Sequence, residues 1–225
     1  MRSLALSVLA VTVLAGCAQA GQPSVPAPVT SVAPQAESAP VDPERIRRIR
    51  SELPDGYEIA DVAGYASSPV AFWGFGRGWT AQPPQCAPLM DPAPDGPALG
   101  VSGSGPGGII HVVVVSGAVA LLGLDPVQLG ECPQWTMAYG GATADVSLVD
   151  APMIDGAATL GVTSTIRSVA EAGTETDSRA DTFMAYLGEH VVFVTLVTDP
   201  GAVDPPLPPQ YASDLLVEAV STLRG

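Results

Sequence analysis

The sequence predicts an α+β fold for residues 42–225, in which helices pack against an antiparallel sheet. Two observations lead to this prediction. Short runs rich in β-branched residues follow one another without a helix of crossover length between them, an arrangement that antiparallel strands permit and parallel strands do not. An amphipathic helical pattern also stands at each end of this part of the chain.

The first 16 residues have the pattern of a secretory signal. A short positive segment that contains Arg2 precedes an apolar run over residues 4–15, which is too short for a permanent membrane span. The run ends in Leu14-Ala15-Gly16-Cys17, which resembles the lipobox of bacterial lipoproteins. This resemblance implies cleavage before Cys17, a diacylglyceryl group on its sulfur and a further acyl chain, such as palmitate, on its amino group. The alternative is an ordinary secretory signal with an incidental cysteine.

Residues 17–41 are predicted to form a lipidated cysteine and a disordered tether. The stretch is rich in proline and alanine and has no aromatic residue. It cannot bury enough apolar surface to order itself, and its prolines favour extended segments. We expect it to lift the following domain off the membrane.

The folded part begins with a predicted amphipathic helix. Asp42 is suited to cap it and Pro43 to open it, while Pro54-Asp55-Gly56 ends it. The helical spacing places three apolar side chains on one face: Ile46, Ile49 and Leu53. Four arginines occupy the remaining surface: Arg45, Arg47, Arg48 and Arg50. They form either a solvated face or a contact with anionic headgroups or cell-wall phosphates.

The middle of the chain predicts strands, and its end predicts a helix. Residues 109–115 and 190–197 are apolar, β-branched runs typical of central strands. Residues 143–149 and 160–166 alternate between apolar and polar. Asp125-Pro126 predicts a single helical turn, and Pro208-Pro209 precedes a last amphipathic helix. Its apolar face holds Tyr211, Leu215, Leu216, Val220 and Leu223.

Charge excludes several classes of function. The net charge is −14, and all nine basic residues are arginines. Phosphate backbones repel such a chain, so we expect no nucleic-acid partner. The absence of lysine excludes P-loop and Schiff-base chemistry. We expect no cofactor.

The cysteines predict a disulfide. If Cys17 is lipidated, Cys86 and Cys132 remain as an even number in an exported chain, and such pairs oxidise outside the cytosol. A zinc site that adds His111 and His190 is the alternative, but the spacing matches no known zinc motif.

Three motifs have catalytic interpretations that we consider weaker than structural ones. Residues 103–108 satisfy G-x-G-x-x-G, the pattern of dinucleotide-binding loops. Such a loop follows a strand and opens a helix, whereas these residues precede a strand, so a turn is the better interpretation. Ser102, with either histidine as base, lacks the glycine pattern of a nucleophile elbow. Glu171 and Glu175 flank one turn, where solvated charges explain them better than a glycosidase pair.

Residues 72–79 are the best candidate for a ligand- or partner-contacting surface. They hold four of the 12 aromatic residues of the chain, interleaved with glycines: Phe72, Trp73, Phe75 and Trp79. Core packing and the lining of a groove explain them equally well.

Several short segments together indicate a family. They are the lipobox and tether, Leu53-Pro54-Asp55-Gly56-Tyr57-Glu58, Pro83-Pro84-Gln85-Cys86, Glu131-Cys132 with Trp135, and Asp199-Pro200-Gly201. The chain resembles uncharacterised mycobacterial envelope lipoproteins whose domain is similar to the extracytoplasmic sensor domain of a mycobacterial receptor Ser/Thr kinase. That resemblance implies an antiparallel sheet with helices and a cleft. The sensor fold has two disulfides, whereas this chain can supply only Cys86–Cys132.

The sequence therefore favours a lipid-anchored, non-enzymatic binding or sensing domain spanning residues 42–225. It would lie on the outer leaflet of the cell membrane, held by Cys17, with an envelope lipid or a protein as partner. A structural or accessory lipoprotein is the second hypothesis. A hydrolase using His111 or His190 is the third.

Overall fold

The structure, a computed structural model, describes residues 40–64, 67–117, 124–170 and 172–225. Within these residues nine strands form one sheet in which every neighbouring pair is antiparallel. The strands are β1 (Glu58–Gly64), β2 (Thr80–Gln82), β3 (Ala98–Gly105), β4 (Gly108–Ser116), β5 (Gln134–Tyr139), β6 (Ala142–Val149), β7 (Ala158–Val169), β8 (Glu175–Leu187) and β9 (His190–Thr198). Their order across the sheet is β1-β3-β4-β9-β8-β7-β6-β5-β2.

Tight turns explain much of this order. The pairs β3–β4, β5–β6 and β8–β9 are hairpins with two-residue loops. Gly140 and Gly188 begin two of these loops with φ of 55° and 63°, a left-handed conformation that glycine adopts without steric strain. The G-x-G-x-x-G segment forms the third loop and its flanking strand ends, as the turn interpretation predicts.

One face of the sheet is covered by the two terminal helices. A 3₁₀ helix (Pro43–Glu52) packs against β3 and β4, and helix α2 (Pro209–Arg224) packs against β8 and β9. Their buried side chains meet the even-numbered residues of β4 and β9, such as Val112 and Val194. The predicted C-terminal helix is therefore present. The predicted N-terminal helix is present as a 3₁₀ helix, whose three-residue period aligns Ile46 with Ile49, both fully buried.

The other face carries a larger apolar core without a long helix over it. Two further 3₁₀ helices, Pro69–Trp73 and Pro84–Leu89, lie there, and the short helix α1 (Pro126–Glu131) adjoins the second of them. Odd-numbered residues of β4 and β9, such as Val113 and Phe193, belong to this core. Both faces of β4 and β9 are thus buried, which explains their uninterrupted apolar runs.

The antiparallel sheet is confirmed, but the helical part is smaller than the α+β prediction implies. The terminal helices cover only the strands near β4 and β9. On β5, β6 and β7 the same face is polar: Thr136, Asp145 and Thr165 lie in one cross-strand row that Arg179 of β8 continues. Water replaces a packing helix there, as antiparallel sheets allow.

Candidate functional site

The aromatic segment at residues 72–79 is divided between core and surface. Trp73 and Phe75 are buried, whereas Phe72 and Trp79 are only partly buried. Trp73 ends the 3₁₀ helix Pro69–Trp73, and its Nε1 donates a hydrogen bond of 3.0 Å to Oγ1 of Thr195. Both groups are buried, so the bond satisfies an indole that burial would otherwise leave unpaired. Trp73 is therefore a core residue.

Phe72 covers His111 on the same face of the sheet. The two rings stack with centroids 4.1 Å apart. Burial lowers the pKa of His111 from 6.5 to about 4, so the imidazole is neutral at physiological pH. Its Nδ1 is buried without a hydrogen-bond partner in the described part of the chain. Ser102 is the cross-strand neighbour of His111, but a triad also needs a carboxylate that orients the imidazole, and Nδ1 has none.

The other catalytic and metal hypotheses also find little support. Glu175 is exposed at the start of β8, and Glu171 lies outside the described residues. In the described ranges no three His, Cys, Asp or Glu side chains are grouped to hold a metal ion. The two cysteines of the zinc hypothesis are joined in a disulfide, which removes them as thiolate ligands.

Trp79 lines a cleft between two loops on this face. One hollow of about 220 Å³ is bordered by Phe75, Arg77 and Ser68, and a second of about 450 Å³ by Ala87 and Pro88. Four residues border both hollows: Gly78, Trp79, Asp91 and Pro94. We name the two hollows together the Trp79 cleft. Trp79 and Asp91 border both of its parts.

Two glycines and two hydrogen bonds position the loop that leads from Gly74 to Trp79. Gly74 and Gly78 both have a φ of 87°, which favours glycine and lets the loop reverse after the 3₁₀ helix. The backbone N–H of Phe75 donates to the carbonyl of Val70 at 3.1 Å. Ser68 Oγ donates to the carbonyl of Met90 at 2.6 Å, so the two walls of the cleft are joined near its base.

The opposite wall is held by the predicted disulfide. Cys86 lies in the 3₁₀ helix Pro84–Leu89 and Cys132 directly follows α1; their Cα atoms are 5.7 Å apart and both residues are fully buried. Gln128 of α1 adds a hydrogen bond of 2.7 Å from Nε2 to the carbonyl of Gln85. Ala87 and Pro88, on the same 3₁₀ helix, therefore form a wall fixed to α1.

The charges of the cleft are not balanced. Arg77 Nη2 lies 2.7 Å from Oδ1 of Asp95, and both side chains are largely exposed. No salt bridge in the described ranges involves Asp91, which is partly buried. Burial and then the nearby Asp95 raise the pKa of Asp91, and Arg77 opposes them. One carboxylate beside Trp79 thus has no cation bound to it.

Sequence reasoning identified Trp79 but missed the groups around it. Arg77, Asp91 and Asp95 are ordinary surface residues by type, and they are up to 18 positions apart. No spacing motif links them, so only the fold shows that they share a cleft.

A separate hollow of about 220 Å³ lies beside the β3–β4 turn, where Ile109 and Val197 form apolar walls.

Comparisons with known proteins agree with this fold. Residues 42–224 match the model of a family described as a domain of unknown function (DUF5642). The chain belongs to this family. No curated protein matches the sequence significantly.

Two solved structures have a similar fold. An uncharacterised Mycobacterium smegmatis protein, the Rv0999 ortholog, superposes with a TM-score of 0.60 at 20% identity, over 85% of this chain and 100% of that one. The extracellular domain of PknH from Mycobacterium tuberculosis gives a TM-score of 0.52 at 15% identity, over 82% and 97%. The resemblance to a mycobacterial kinase sensor domain is confirmed at the level of fold.

Proposed function

We propose that this chain is a lipid-anchored extracytoplasmic binding module that holds an envelope component in the Trp79 cleft. The observation that carries the proposal is the cleft itself, which is bordered by a partly buried indole and by a carboxylate that forms no salt bridge among the described residues. Ligand sites combine apolar or aromatic walls with a few polar groups in this way. The likeness to an extracellular kinase domain fits a sensing or accessory role outside the cytoplasm.

Anchoring is proposed from Cys17 and the tether, of which only residues 40 and 41 are among those the structure describes. In the part that the structure describes, no helix is both long and apolar enough to cross a bilayer. Two or three acyl chains on Cys17 would bury enough methylene groups for stable attachment to the outer leaflet.

The test is copurification of bound material with the lipoprotein. The full lipoprotein is extracted in detergent from its native membrane, and released small molecules are identified by mass spectrometry. We expect a component that falls at least tenfold in Trp79→Ala. Val217→Ala, on the exposed side of α2, is the control and should retain it. Equal amounts in wild type and Trp79→Ala would contradict the proposal.

A structural or accessory role remains the second candidate because β1 is an edge strand. Its outer edge has no neighbour among the described strands, and Ile59 on it is 41% exposed. Such edges can accept a strand from another protein. A protein that copurifies equally with wild type and Trp79→Ala would favour this role.

A further inference from the structure

We infer that the Trp79 cleft recognises a cationic amine, with the ammonium group between the Trp79 indole and the Asp91 carboxylate. This inference rests on the proposed function and narrows it to one class of ligand. It does not identify the molecule that carries the amine.

First, the side chains of Trp79 and Asp91 are placed where one ligand can contact both. Trp79 and Asp91 border both parts of the cleft. A ligand that occupies either part therefore lies beside both groups. An indole face attracts cations through its quadrupole, and a carboxylate attracts them through its charge, so the two preferences coincide.

The second step is the balance of charge. Arg77 is already paired with Asp95, so the cleft carries one negative charge in excess, at Asp91. A neutral hydroxyl ligand can donate hydrogen bonds to Asp91 but leaves its charge uncompensated. An anionic ligand would meet two carboxylates against one arginine, and a net charge of −14 on the chain.

The third step is the character of the remaining wall. Ala87, Pro88 and Pro94 present carbon atoms to the second part of the cleft. These groups suit the methylene chain or ring that bears the amine, as long amphipathic side chains show when they pack their stems on apolar surface. Its volume of about 450 Å³ is in the range of small-molecule sites.

Two probes that differ in one charge test the inference. Nα-acetyl-lysine methylamide is cationic, and its Nε-acetylated form has the same scaffold without the charge. Each is titrated into the full lipoprotein in detergent, and the indole N–H resonance of Trp79, assigned with Trp79→Phe, is followed by NMR. From the shift of this resonance we expect a dissociation constant for the cationic probe that is at least tenfold lower than that for the neutral probe.

Two variants separate local charge from overall charge. Asp91→Asn should weaken binding of the cationic probe at least tenfold. Asp145→Asn, which removes the same charge from the exposed polar face of β6, should leave it within twofold. Equal binding of the two probes, no binding of either, or an unchanged affinity in Asp91→Asn would overturn the inference.

The outcomes also separate this inference from the proposed function. If native material copurifies in a Trp79-dependent manner while the cationic probe fails, the cleft binds a ligand of another class and only the inference is wrong. If no material depends on Trp79, both proposals are wrong.

Discussion

Two tryptophans only six positions apart have different roles. Trp73 lies in the core with its indole N–H bonded to Thr195, whereas Trp79 lines a cleft open to solvent. Thr195 in turn shares a hydrogen bond of 2.6 Å with Thr182. Trp73 therefore completes a buried polar group, whereas Trp79 packs partly against the same core and also borders the cleft.

Matched substitutions should separate these roles. Trp73→Phe removes a buried hydrogen bond and leaves a void, so we expect a loss of about 1–3 kcal/mol in the free energy of unfolding. Trp79→Phe should cost less than about 1 kcal/mol because its surroundings are partly solvent. Chemical denaturation of both variants measures the difference. Equal losses would mean that Trp79 is also a core residue.

The free energy of unfolding should depend on pH because burial lowers the pKa of His111. Its pKa is about 4 in the folded protein and 6.5 when unfolded, so between these values the unfolded chain binds the extra proton. Stability should therefore fall as the pH drops from 6.5 towards 4, by roughly 2 kcal/mol for this partly exposed group. His111→Phe keeps an aromatic ring against Phe72 and should remove this component. The same pH profile in both proteins, measured by urea denaturation, would contradict the assignment.

At the scale of elements, the wall of the cleft depends on the disulfide. Cys86 and Cys132 close a loop of 46 residues and join the 3₁₀ helix Pro84–Leu89 to α1. In this region short helices and loops cover the sheet, so a covalent link replaces the packing that a longer helix would provide.

Removal of the disulfide should lower the free energy of unfolding by about 4 kcal/mol, since the unfolded chain loses a long loop constraint. Cys86→Ser/Cys132→Ser is compared with the wild type by denaturant titration. The variant should also lose affinity for ligands of the Trp79 cleft, because Ala87 and Pro88 are no longer fixed. A midpoint equal to that of the wild type would show that packing alone holds this wall.

Most arginines of the first 3₁₀ helix are paired with carboxylates of the same chain. Three of the four are in ion pairs within the chain: Arg45 with Asp42, Arg47 with Glu44, and Arg50 with Asp61. Exposed pairs of this kind add little stability, but they neutralise the positive charge locally. The arrangement favours the solvated-face interpretation over a contact with anionic headgroups.

For the whole molecule, attachment to a membrane is a prediction. Attachment through Cys17 remains a prediction from the lipobox, and the tether would separate the acidic fold from the anionic surface. In the described residues the apolar side chains form two buried clusters, one on each face of the sheet.

Cys17→Ala should release the protein from the membrane. Without the sulfur, no diacylglyceryl group can be attached, and the signal segment should stay uncleaved or yield a soluble product. Detergent phase partition and mass spectrometry of the intact protein test this. A variant that partitions into detergent at the wild-type mass would contradict lipid anchoring.

Four of the nine described strands, β4, β6, β7 and β9, could be predicted from the sequence, and the other five, among them the long central β8, could not. The apolar runs at 109–115 and 190–197 lie in β4 and β9, which are buried on both faces. In contrast, β2 has three residues and β3 is rich in glycine and serine, so neither carries a clear period-two signal. Their strand state depends on hydrogen bonds to neighbours, and two of these are distant in the sequence, since β2 pairs with β5 and β3 with β1.

The antiparallel class of the sheet, the terminal helices and the cysteine pair could be read from the sequence alone, whereas export and lipidation stay predictions. These features depend on local composition and period, or on a count of two remaining thiols. The tertiary structure was needed to show that Trp73 is core while Trp79 lines a cleft, and that Asp91, which borders the same cleft, forms no salt bridge with the described residues. Burial and charge balance are sums over neighbours from several loops and strands, and no local pattern encodes such sums.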